Sequence, residues 1–128
     1  MKNAILITDS TFELSDFKLY AKDLFEVEDA NESEIECYIP YKLESYFSIL
    51  KDNSMFDLME PHGQRKIMSE FDTFNVFACL FYNFPYIRSL VASIPSDKKI
   101  VIYNNHGTFM QSEDLLKLNS YEDFVRGF

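Results

Sequence analysis

The chain has 128 residues, 47% of them hydrophobic, and carries a formal charge of −9. That length fits one domain with a real core, and the apolar share excludes disorder as the starting assumption. Three Gly and four Pro are too few for a sandwich of many short, turn-linked strands, whereas thirteen Phe and eight Tyr predict an aromatic core.

Residues 4–8, Ala4-Ile5-Leu6-Ile7-Thr8, read as a short buried strand closed by Asp9. The run is too short for the apolar region of a signal peptide and has no small-residue cleavage site. No apolar run reaches the length of a membrane span, so a cytoplasmic protein is expected. Residues 15–26 read as a helix, with Leu14, Phe17, Ala21, Leu24 and Phe25 at helical spacing and Ser15 as N-cap. The polar stretch 26–34 has no periodicity and reads as a loop. Glu34 to Tyr38 alternates, with Ile35 and Cys37 on one side and Glu34 and Glu36 on the other, as in a half-exposed strand that Pro40 ends.

Leu43, Tyr46, Phe47 and Leu50 fit a helical i, i+3, i+4, i+7 pattern, and Met55–Met59 suggests a further short helical turn. Pro61-His62-Gly63 reads as a break, followed by a helix over 64–71 with Ile67, Met68 and Phe71 inward. The apolar run 74–82 fits either a buried strand or a helix, and its bounding turn signals favour strand. Asn83 and Pro85 open a helix with Ile87, Leu90, Val91 and Ile94 on one face. Ile100-Val101-Ile102-Tyr103 is a strand, Asn104-Asn105-His106-Gly107 a turn, and Thr108-Phe109-Met110 extended again. Ser112 and Ser120 are expected N-caps, and Tyr121, Phe124, Val125 and Phe128 give the last segment an apolar face. The order implies an α/β or α+β fold, a single domain spanning 1–128 with a mixed sheet of four to five strands packed by helices.

Catalytic and metal patterns are weak. The two histidines, His62 and His106, stand in Gly-containing turns, and zinc needs three or four ligands in a closed set. Cys37 and Cys79 lie in apolar surroundings that predict buried, inert thiols, so a Cys79–His106 nucleophile pair is the weaker reading. The three Gly are isolated, which excludes a phosphate-cradling loop, and residues 26–32 lack the spaced acids and central Gly of a calcium hand. No cofactor is expected.

Charge placement is the informative feature. Residues 1–60 carry 14 acids and 5 bases, while residues 61–128 carry 7 of each. Between Asp23 and Glu36 stand seven acids and no base: Asp23, Glu26, Glu28, Asp29, Glu32, Glu34 and Glu36. Such a field repels nucleic acid and anionic membrane and attracts a basic protein. The stretch also suits a merely solvated face.

The segment from Phe77 through Ile100-Val101-Ile102-Tyr103-Asn104-Asn105-His106-Gly107-Thr108-Phe109-Met110-Gln111-Ser112-Glu113-Asp114-Leu115 resembles the small immunity proteins of bacterial polymorphic-toxin and contact-dependent inhibition systems. The resemblance implies a cytoplasmic, non-enzymatic protein that binds a cognate toxin domain, often a nuclease, and covers its active site. On the charge reading, the seven acids with Tyr38 and Tyr41 would form the partner-binding surface, the tyrosines as anchors. The alternatives are a small acidic regulatory or adaptor module and, further off, a small enzyme.

Overall fold

The two-residue period of β1 (Lys2–Asp9), buried without a break from Ala4 to Thr8, sends Ala4 and Leu6 to one side of a sheet and Ile5 and Ile7 to the other. A strand apolar on both sides belongs in the middle of a sheet covered on both faces, and that is where β1 lies. The computed structural model describes residues 1–127. It contains one seven-stranded sheet in the order β2-β3-β4-β5-β1-β6-β7, every neighbouring pair antiparallel. The other strands are β2 (Glu26–Asn31), β3 (Glu34–Ile39), β4 (Lys42–Lys51), β5 (Phe74–Phe81), β6 (Ile100–Tyr103) and β7 (Phe109–Gln111). The combination of helices and one sheet in a single domain is as expected, but the sheet is antiparallel throughout rather than mixed, and the strand count is seven rather than four to five.

The two additional strands come from segments read differently in the sequence. Residues 26–31 pair with β3 as a hairpin arm instead of forming a loop. Residues 42–51 form the longest strand instead of a helix. The helical spacing of Leu43, Tyr46, Phe47 and Leu50 coexists with a two-residue period in which Ser45, Phe47 and Ile49 are buried. Pairing on both edges, with β3 and β5, decides in favour of the strand. Leu43, expected inward, is 89% exposed.

The first face of the sheet packs against α1 (Leu14–Ala21), α3 (Phe84–Ser93), α4 (Ser112–Leu116) and α5 (Tyr121–Arg126). Aromatic edges knit this core: Phe17 of α1 meets Phe77 at 4.9 Å, and Phe25, just beyond that helix, meets Phe47 at 4.9 Å. Helix α1 ends at Ala21, short of Phe25, and its start is set by Glu13, whose N–H donates to Asp16 at 2.8 Å; Ser15 is not the cap. Gln111 plays the same part for α4 with Asp114, displacing the expected Ser112, whereas Ser120 caps α5 as expected. Phe128 lies outside the described residues. Strands β5 and β6 run parallel to each other on either side of β1, with α3 between them in the chain, so the strand–helix–strand unit is split by β1.

On the second face α2 (Pro61–Glu70) and a 3₁₀ helix over Asn53–Leu58 cover Ile5, Ile7, Val76 and Val101 with Ile67, Phe56 and Met55. Pro61 begins α2 rather than breaking the chain after it, because a first-turn position needs no N–H donor. Met68, expected inward, is exposed. This cover stops short of β2, β3, β4 and the second half of β5.

Candidate docking face

Register defines what lies on the uncovered part of the second face. Glu28 pairs with Glu36, Glu36 with Ser48, Ser48 with Leu80 and Leu80 with Asn3, one row across five strands. The next row runs Glu34, Leu50, Ala78 and Ile5; since Ile5 belongs to the second core, these side chains share its face. On the other side of the first row, Glu26 stands opposite Tyr38, and Tyr46 neighbours Tyr82 with ring centroids 6.0 Å apart. The face is therefore graded. Its β2–β3 side carries Glu26, Glu28, Glu34 and Glu36, and its β4–β5 side carries Tyr46, Leu50, Leu80 and Tyr82.

Among the described residues none of these four glutamates carries a salt bridge. Their nearest compensation is the Tyr38 hydroxyl, which donates to Glu28 at 2.8 Å. That hydrogen bond raises the phenol above its usual range, with burial and the charges of Glu28, Glu26 and Glu36 adding to it. Tyr46 is raised first by burial and then by the charge of Glu36. The carboxylates thus act on the aromatic half of the face as well as on solvent.

The remaining members of the acidic stretch go elsewhere. Asp29 points to the opposite side of β2 and pairs with Lys18 of α1 at 3.0 Å. Glu32 lies in the β2–β3 turn and Asp23 in the connection after α1, both exposed. Tyr41 sits in the β3–β4 turn after Pro40, fully exposed, at a φ of 67° that usually belongs to Gly or Asn. With Leu43 it forms an apolar tip at the tyrosine end of the face.

Tyr46, Leu50, Leu80 and Tyr82 were not expected at a site. Reading 43–50 as a helix hid the first two, and treating 74–82 as wholly buried hid the others. The signal was present in the alternation of Phe77, Cys79 and Phe81, which leaves Leu80 and Tyr82 facing the other way.

The structure does not assemble the rival sites. Cys79 is fully buried in the first core, its thiol raised by burial and by nearby Cys37, while His106 is in an exposed loop. Burial pushes Cys37 up to about 12. Among the described residues no group of three or more His, Cys, Asp or Glu is placed to hold a metal, and no helix is long and apolar enough to cross a membrane. A separate cleft of about 460 Å³ opens between α2, the 3₁₀ helix and β6–β7, lined by Met55, Met59, Tyr103 and Phe109 among others. His62 is among its lining residues and pairs with Glu60 at 3.3 Å. No family model, curated protein or solved structure matches the chain.

Proposed function

We propose that this chain is an immunity-type inhibitor that binds a cognate basic toxin protein, a nuclease domain in the reading preferred here, and covers its active site. It acts without a cofactor and without chemistry of its own, in the cytoplasm. The observation that carries the reading is the open sheet face on which Glu26, Glu28, Glu34 and Glu36 lie beside tyrosines and leucines, none of the four in a salt bridge among the described residues. A nuclease holds phosphate with Lys and Arg, and those groups complement this field. Attraction over a Debye length speeds encounter, and Tyr38, Tyr46, Tyr82 and Tyr41 offer the large, stiff contacts that dominate interface energies. Asp23, Glu32 and the paired Asp29 contribute to the long-range field rather than to the contact.

The test is co-purification with the product of the neighbouring gene, followed by calorimetry at two salt concentrations. The expected result is one-to-one binding that weakens about tenfold or more between about 50 and 300 mM salt, and that falls further in the Glu28→Lys/Glu36→Lys double variant. Absence of association, or affinity indifferent to ionic strength, sinks the proposal.

A further inference from the structure

We infer that the part of the partner seated on the open face is an amphipathic α-helix with a basic flank beside an apolar one, lying along the strands of β3 and β4. The inference rests on the reading of this face as the docking surface and adds the shape of its occupant.

Two observations carry it. The first is a half-filled layer. On this face α2 and the 3₁₀ helix already cover β1, β6 and part of β5, leaving β2, β3, β4 and the second half of β5 bare. Four strands span about 14 Å between their outer axes. One helix about 10 Å across fits that width, and two do not. The second is the direction of the chemical boundary. Four acids occupy β2 and β3 with Tyr38 among them, Tyr46, Leu50, Leu80 and Tyr82 occupy β4 and β5 with Ser48 between them and Glu44 at the β4 end, and the line between the two groups runs parallel to the strands. A helix laid along that line presents a stripe of Lys or Arg to one side and a stripe of Leu or Phe to the other, as a single amphipathic surface allows.

A strand fits less well. The backbone groups of β3, β4 and β5 are engaged in ladders on both sides, so a partner strand at this end of the sheet would have to add at the outer edge of β2, the other free edge being the distant β7. That edge is short, charged and shifted in register between Asp29 and Asn31, features that discourage pairing. Addition there would also leave Tyr46, Leu80 and Tyr82 bare.

Two synthetic peptides of about 18 residues and identical Lys, Leu and Ala content test this, one patterned with a helical period and one alternating. Each is titrated into the isotopically labelled full chain and followed by amide chemical shifts and circular dichroism. The helical peptide is expected to gain helicity, to shift the amides of Glu36, Tyr46 and Leu80, and to bind about tenfold more weakly to Glu36→Lys and to Leu80→Asp, each checked for native shifts elsewhere. Equal binding of both peptides overturns the helix and leaves charge attraction alone. Tighter binding of the alternating peptide, with shifts centred on Val27 and Asp29, overturns it in favour of strand addition by a basic partner. If neither peptide perturbs the face, the helix and the docking reading fail together.

Discussion

Glu28 and Glu36 stand directly opposite each other across the β2–β3 ladder, and among the described residues neither forms a salt bridge. Like charges in that relation oppose folding, so the free protein holds an electrostatic tension that a cationic partner would release. Glu36→Gln should raise Tm by about 2 °C while weakening attachment of the basic partner. Thermal melts beside binding curves on the same variant check it. A variant that loses stability would show that Glu36 supports the hairpin in some other way.

Tyr41 offers a second separation of stability from contact. Its left-handed backbone is one that Asn tolerates and Tyr does not favour, and its side chain touches almost nothing in the free protein. Tyr41→Asn should raise Tm by about 2–4 °C. A drop in Tm would mean that the tip is held by packing, and affinity measured in parallel reports whether the ring is an anchor.

How much of this was legible in the residues depends on the element. Strand β1, strand β6, helix α3 and the C-terminal segment followed from short apolar runs and helical stripes with clear punctuation. The β2–β3 hairpin did not, because Glu-Val-Glu-Asp-Ala-Asn carries only Val27 and Ala30 as apolar residues and owes its extended form to pairing with β3 rather than to its own preference. Strand β4 was obscured by Leu43, Tyr46 and Leu50, whose spacing mimics a helix because they line the open face and its exposed tip. The acids of the site could be found from charge alone, but their partition could not. Only the strand period, once known, separates Glu28 on the open face from Asp29, which turns to the other side of β2 and meets Lys18 of α1.

Asn75 should be the most sensitive polar position. Its amide donates to the Phe12 carbonyl at 3.0 Å and to Glu13, and its oxygen accepts from Asn53, all at a site 4% exposed. Removing it with Asn75→Ala leaves the Phe12 carbonyl with only the longer bond from the Thr8 hydroxyl, takes the acceptor from the Asn53 amide, and should cost about 2–3 kcal/mol. Urea denaturation measures the loss, and a change below about 0.5 kcal/mol would show that water replaces the network.

Acid sensitivity should trace in part to Glu70. Hydrogen bonds from Lys99 and Lys66 hold its carboxyl at about 2, against an ordinary 4.5. On acidification the unfolded chain takes up this proton first. The contribution is therefore whole above about 4.5 and drains away as pH falls toward about 2. Glu70→Gln should lower Tm near neutral pH by about 3 °C and match the parent protein at about pH 2. Melts across that window decide it; a gap that persists in acid would assign the effect to packing.

The thiols should be silent until the protein opens. Cys37 and Cys79 are buried in the first core with raised pKa values, so a disulfide-exchange reagent should react at the rate of global unfolding. Prompt labelling of either thiol under native conditions would contradict the packing described for β3 and β5.

The position of β1 also bears on how the chain is made. It is an interior strand, fifth of the seven across the sheet, yet both of its ladder partners, β5 and β6, come later, with residues 10–73 in between. On the ribosome its Ile-Leu-Ile run must therefore wait, solvent-exposed and unpaired, until more than half the chain has emerged. Assembly should be slow and late, and the nascent chain a natural client for trigger-type chaperones during that interval.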